Sequence, residues 1–266
     1  HLAECYLNTG DLQSATSAFS MASTDGFDEE IAENALLNYG RLKFELDGDV
    51  FNESINVLKR YLDKYPTSEH CPEVQTLLIA AYYNSKDYGS AYAAIKAFPN
   101  PDKELRMALQ KVAVFRAVDA VKEGNYDLAQ SLLEEAELIG ISPKYKALAI
   151  YWQGEIAMLK GEYEGAKQKY ETYIRLAPKS DVEYLMAHYG MGYAMFQMKD
   201  MESAAVAFDT FVRDYPQRDC YMYDAHNRWG DTRFSQRQFS AARKAYKVAL
   251  SSPSAERNYA RYQLAL

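Results

Sequence analysis

At 266 residues and a net charge of −7, the chain lacks the basic excess by which nucleic-acid binders neutralise phosphates. Its apolar fraction of 48% is enough to bury interfaces, but no uninterrupted apolar run approaches the roughly 18 residues needed to cross a membrane. Cys5, Cys71 and Cys220 stand in widely separated segments and read as isolated thiols rather than a disulfide framework.

Taken in order, the chain reads as helix after helix. His1 to Asn8 is the second part of a first helix, followed by the turn Thr9-Gly10-Asp11 and a partner helix from Leu12 to Ala22. Thr24-Asp25-Gly26 is a loop. Glu29 to Leu46 and Asn52 to Lys64 make the next pair, with an insertion at Leu46-Asp47-Gly48-Asp49 where a loop tolerates extra residues cheaply. Glu73 to Asn84 and Tyr88 to Phe98 follow. Phe98-Pro99-Asn100-Pro101 is the most proline-dense point and the candidate for a bend near 98–102. Lys103 to Lys122 and Tyr126 to Leu138 form another pair. Ser142-Pro143 then opens a helix as N-cap and first helical residue. Lys160-Gly161-Glu162 turns it back into a helix that closes at Pro178, because glycine accepts the backbone angles that end a helix and proline cannot continue one. Ser180 with Glu183 is expected to form a capping box. Asp224 to Ser235 and Phe239 to Leu250 form the last complete pair, and Ser252-Pro253 opens a helix that runs to the end. No segment alternates as a strand would over more than a few residues. His1 and Leu266 both fall inside helices, so the array is expected to continue beyond both.

The pairs are copies of one another. The small residue of each second helix recurs as Ala15, Ser54, Ala91, Ala129, Ala166, Ala204 and Ala242, at spacings of 39, 37, 38, 37, 38 and 38 residues. Twelve residues before the last three stand Gly154, Gly192 and Gly230; four residues after them stand Tyr170, Phe208 and Tyr246. Two antiparallel helices approach closely only where their crossing is free of bulk. One such hairpin buries too little surface to stand alone, so it needs neighbours.

This pattern resembles the tetratricopeptide repeat, whose signature is W-x2-L-G-x2-Y, then A-x3-F, then P. Gly154, Gly192 and Gly230 match the glycine, while Ala166-x3-Tyr170, Ala204-x3-Phe208 and Ala242-x3-Tyr246 match the second half. The period exceeds the family's usual 34 residues, and Ile150, His188 and His226 replace the tryptophan. The resemblance implies an all-α fold: a right-handed α-solenoid, or superhelix, of stacked antiparallel helix pairs. Residues 1–266 would form a single array of about six complete helix-pair units with partial units at both ends. The long units and the Tyr65-Pro66 and Tyr215-Pro216 endings look like those of large bacterial envelope proteins, which implies the periplasm or cell envelope.

No catalytic constellation stands out, and neither a metal nor a cofactor is expected. Gly161-Glu162-Tyr163-Glu164-Gly165 lacks the lysine of a phosphate loop, and Gly190-Met191-Gly192 lacks the strand and third glycine of a dinucleotide fingerprint. His188 and His226 occupy equivalent places in successive units without the further ligands a metal needs, and read as packing residues. Asp47-Gly48-Asp49 with Asn52 and Glu53 departs from calcium-loop spacing. Asn52-Glu53-Ser54 fits a glycosylation triplet but is read as a chance match. Most of the 23 tyrosines, among them Tyr65, Tyr163, Tyr170, Tyr173 and Tyr215 at repeat positions, are expected to pack half-buried with hydroxyls at the surface.

The family resemblance implies a non-catalytic protein–protein interaction scaffold that binds a peptide or protein segment on its concave face. A residue, its fourth and its seventh successor share one helix face. On first helices that register gives Thr76-Ala80-Tyr83, Val114-Val118-Val121, Tyr151-Glu155-Met158, Tyr189-Tyr193-Phe196 and Asn227-Asp231-Phe234. The absence of Lys and Arg there disfavours a clamp for a terminal carboxylate. Tyr83, Tyr151, Tyr189, Tyr193, Phe196 and Phe234 would form an aromatic groove for a partner with apolar anchors, and Glu155 and Asp231 would favour a basic residue in it. Burial of these rings between units is the competing reading. The alternative function is a helical accessory arm of an enzyme or signalling protein whose catalytic domain lies outside these residues. Charge is polarised: residues 1–140 carry 12 basic and 23 acidic side chains, 141–212 carry 8 and 9, and 213–266 carry 10 and 5. Weak head-to-tail self-association would use that gradient.

Overall fold

Turn chemistry sets the helix boundaries. Among the described residues, six turns within helix pairs pass through a left-handed residue: Gly10, Lys86, Gly124, Gly161, Lys199 and Arg237, with φ between 58° and 78°. The next residue is in each case Asp, Asn, Glu or Gln. Asp11, Asp87, Asn125 and Asp200 each accept the backbone N–H three residues on at 3.0–3.2 Å, satisfying a donor that the first helical turn leaves open.

The computed structural model describes residues 1–24, 28–46, 53–98, 100–253 and 255–266. The loop at Asp25-Gly26, the insertion with Asp47-Gly48-Asp49 and Asn52, and Pro99 lie outside the described residues. Among the described residues the helices are α1 (Leu2–Thr9), α2 (Leu12–Ala22), α3 (Glu29–Leu46), α4 (Glu53–Lys64), α5 (Cys71–Asn84), α6 (Tyr88–Lys96), α7 (Lys103–Lys122), α8 (Tyr126–Ile139), α9 (Pro143–Lys160), α10 (Tyr163–Leu176), α11 (Val182–Gln197), α12 (Met201–Asp214), α13 (Cys220–Ser235), α14 (Phe239–Ala249) and α15 (Glu256–Ala265). The chain divides into two compact units, residues 1–116 and 117–266, with the boundary inside α7. Each unit is all-α and built as an α-solenoid is, from helix hairpins packed on the next hairpin.

Several boundaries differ from the sequence expectation. Helix α13 begins at Cys220 rather than Asp224, because Asp219 accepts the Met222 N–H at 3.2 Å and caps it four residues earlier. Helix α5 begins at Cys71, and α6 stops at Lys96. The expected Ser180–Glu183 capping box is absent: Asp181 is the N-cap of α11, which shifts the box out of register by one residue. Ser142 and Pro143 do open α9 as N-cap and first residue. The three thiols are free, and Cys71 Sγ donates to the Tyr65 carbonyl at 3.1 Å.

The seven small residues that define the repeat are each at most 1% exposed. Opposite them, first-helix glycines seat a large side chain. A Cβ on Gly154 would lie 3.0 Å from the Tyr170 ring, on Gly192 2.9 Å from Phe208, and on Gly230 2.5 Å from Tyr246. Gly40 stands 3.0 Å from Leu58 in the same way. Tyr170 is gripped twice, because a Cβ on Gly190 of the next pair would come within 2.6 Å of its Cζ. Tyr61, Tyr170 and Tyr173 are nearly inaccessible, so the expectation of half-buried tyrosines fails there; the rings are core.

Glycine to alanine ordinarily stabilises a helix interior by roughly 1 kcal/mol. At Gly165 of α10 nothing lies within 4 Å, and Gly165→Ala should raise the urea midpoint. Gly192→Ala should lower it, since forcing a methyl into a packed ring costs about 1–3 kcal/mol. Lys199 holds φ 66°, so Lys199→Gly should raise stability by about 0.5–1 kcal/mol, relieving a conformation that disfavours a Cβ.

Candidate interaction surface

Helices α11 and α13 are the first helices of successive pairs in unit 2. Each places a residue, its fourth and its seventh neighbour along one side. On α11 these are Tyr189, Tyr193 and Phe196, all half-buried. On α13 they are Asp224, Arg228 and Asp231, also half-buried. The Tyr189 hydroxyl donates to Asp224 Oδ2 at 2.8 Å, and the Tyr193 hydroxyl donates to the same oxygen. Arg228 sits between two carboxylates, with one guanidinium nitrogen 2.7 Å from Asp231 Oδ2 and Nε 3.6 Å from Asp224 Oδ1. Asp231 Oδ1 accepts from Tyr246 at 2.8 Å and from Tyr259 of α15 at 2.9 Å. The guanidinium stacks over the Tyr259 ring at 4.6 Å, a cation–π contact.

The rings are locked by one another. Tyr189 lies 5.0 Å from Tyr193, 5.1 Å from Phe211 and 5.7 Å from the exposed Tyr221, and Tyr193 meets Phe208 at 5.5 Å. Burial pushes both tyrosines well above the usual phenol pKa, and the Asp224 carboxylate adds to it, so they act as donors rather than as anions.

The other residues named from sequence are distributed as follows. Tyr151 of α9 is only 6% exposed and packs against Tyr170 and Tyr173 at 6.0 and 5.3 Å. Glu155 accepts from Tyr170 at 2.6 Å. Phe234 is 43% exposed at the end of α13, edge-on to Phe239. Tyr83 lies in unit 1, against Tyr88 and Phe115. Neither Glu155 nor Asp231 is an open charge. Burial raises the pKa of both, opposed by hydrogen bonds from tyrosines and, at Asp231, by Arg228. Asn227 is buried, and its Nδ2 donates to the Glu256 carbonyl at 3.0 Å, so it faces α15. Arg228 was missed because it falls between the residues of that register. The i, i+4, i+7 run of Asp224, Arg228 and Asp231 is the signal that marks it.

His188 and His226 are partly buried. His226 lies edge-on to Trp229 at 6.2 Å, and its Nδ1 has no partner among the described residues. Burial holds its pKa at about 4 against an ordinary 6.5. The unfolded chain therefore takes up a proton between those values while the folded chain does not. The stability this group contributes is complete above about pH 6.5 and is lost as pH falls toward 4, at roughly 1.4 kcal/mol per unit. His226→Phe should flatten that part of the stability–pH curve relative to wild type, measured by urea titration at pH 7 and pH 4.5.

Among the described residues no group of three or more His, Cys, Asp or Glu could hold a metal ion, and no helix is long and apolar enough to cross a membrane. Residues 116–181 and 186–218 match family models described as tetratricopeptide repeat. Residues 32–103 match the family described as YfiO, outer membrane lipoprotein. No curated protein matches the chain. Among solved structures, BtubC (BKLC) from P. vanneervenii superposes with a TM-score of 0.54 at 14% identity, covering 84% of this chain and 92% of that one. At that identity the likeness is one of fold. A tetratricopeptide repeat protein from Parabacteroides merdae aligns over 99% of this chain and 94% of its own, at 13% identity and a TM-score of 0.43.

Proposed function

We propose that this chain, a tetratricopeptide repeat protein, is a non-catalytic scaffold that holds a segment of a partner protein against the open side of α11 and α13. Helical-repeat proteins work through such extended side-chain surfaces, and members of this family are generally non-catalytic. The observation that carries the reading is the set of part-exposed rings, Tyr189, Tyr193, Phe196 and Phe234, beside a polar network whose carboxylates already have partners within the fold. Rigid aromatic groups give up little conformational freedom on binding, so they suit apolar anchors of a partner. Because Arg228 sits between Asp224 and Asp231, and both carboxylates also accept from tyrosine hydroxyls, little open charge is presented and the surface selects by shape and apolar contact more than by charge. The match of residues 32–103 to an outer membrane lipoprotein family favours work in the bacterial periplasm or outer membrane.

A photo-crosslinking side chain at Phe196 or at Phe234 should trap the same protein in cells. The same group at Leu138, which is 87% exposed in the same unit, should not. Phe196→Ala combined with Phe234→Ser should diminish the product formed from a crosslinker at Tyr221. Equal trapping from Leu138, or an undiminished product in the double variant, would overturn the reading.

A further inference from the structure

Unit 1 holds a second surface, separate from the tyrosine network. Between α5 and the first turns of α7 runs a groove of about 360 Å³, within the range of roughly 300–1,000 Å³ typical of ligand-sized clefts. Ile79 and Ala80 of α5 face Leu105, Ala108 and Val112 of α7 across it. Ala80 and Ala108 leave open a slot that larger side chains at those two places would fill. Ile79 and Val112 are buried and form its floor, while Ala80, Leu105 and Ala108 are half-buried.

The two ends differ in chemistry. Lys111 Nζ lies 3.9 Å from the centre of the Tyr83 ring, so its charge is engaged on the aromatic face. Tyr83 is braced from behind by Tyr88 and Phe115, whose rings stack 5.2 Å apart. Seven residues earlier on the same helix stands Glu104, about 10 Å along the axis. It is exposed, and so is Asp102, which spends one oxygen on the Leu105 N–H at 2.8 Å. The surrounding unit is acidic as a whole, with 11 basic and 17 acidic side chains in residues 1–116.

We infer that this groove anchors a basic, apolar peptide segment. One aliphatic or aromatic side chain fills the slot between Ala80 and Ala108, and a Lys or Arg within two residues of it meets Asp102 and Glu104. The apolar walls supply the burial, and the two carboxylates set orientation and on-rate. An acidic segment is disfavoured, because Lys111, the one cation among the described lining residues, is already held on Tyr83.

The test is selection of random linear displayed peptides on the full chain, followed by fluorescence anisotropy of the enriched sequence as a labelled synthetic peptide. Enriched peptides should pair an apolar residue with a nearby Lys or Arg. Their binding should weaken at least about tenfold in Asp102→Asn with Glu104→Gln, and weaken further with added salt in the wild type. The asparagine keeps the capping oxygen, so the double variant preserves α7. Ala108→Phe, which fills the slot, should abolish binding with its melting temperature within a few degrees of wild type; if it unfolds, the carboxylate variant decides. Glu69→Gln, an exposed acid elsewhere in the unit, should change nothing. No enrichment, enrichment of acidic peptides, or binding indifferent to the carboxylate variant would overturn the proposal. Peptides lost on Phe196→Ala with Phe234→Ser but kept in Ala108→Phe would overturn it while leaving the unit 2 surface standing. Loss in the reverse pattern supports the groove whatever the fate of that surface.

Discussion

The close seating of a second-helix side chain over a first-helix glycine is the contact on which the tightest helix pairs depend. Four pairs use it: Leu58 over Gly40, Tyr170 over Gly154, Phe208 over Gly192 and Tyr246 over Gly230. Without a Cβ at that point the two backbones close up, and a large apolar side chain lies flat in the gap. The rest of each hairpin follows. The small residue four positions before the ring is buried because the same crossing leaves no room for it, and the side chains around the crossing are left to fill the step to the next hairpin.

A choice made at that seat propagates to the polar groups. Where the seated ring is a tyrosine, its hydroxyl reaches a carboxylate of the first helix: Tyr170 with Glu155, and Tyr246 with Asp231. Where it is Phe208, the first helix carries Tyr193 instead at the position that Glu155 and Asp231 occupy in their own pairs, and the hydroxyl is handed on to Asp224 of the following pair. A buried donor without an acceptor, or the reverse, costs about 1–3 kcal/mol. The two residues are therefore free to change only together. That coupling explains why the surface of α11 and α13 is aromatic with its carboxylates committed to tyrosines and Arg228, and why they are poorly placed to recruit a basic ligand.

The helix order and the register of small residues were legible because both depend on local chemistry: turn residues, caps and a repeat period. Helix starts were less so. Asp219 caps α13 with its side chain and Asp181 takes the N-cap position of α11, in preference to residues that looked equally suited, and only the packed hairpin decides between them. The open side of the first helices could be listed by register, but whether a ring on it is surface or core depends on the neighbouring pair. Tyr151, at the start of its face, is closed over by Tyr170 and Tyr173, while Phe234, at the far end of its own, remains open. Arg228 and the groove between Ala80 and Ala108 were invisible for the same reason. Each is created by two helices that the sequence separates.

Tyr170 is shared property. Gly154 holds it from its own hairpin and Gly190 holds it from the next. An opening of either hairpin thus strips half the cradle from a ring that the other still needs. Local fluctuations in this part of unit 2 should come in blocks of two hairpins, with slow amide exchange changing together from α9 to α12 rather than step by step along the chain. The ring works as a rivet between neighbours, and the grain of the protein's breathing is set by where such rivets fall.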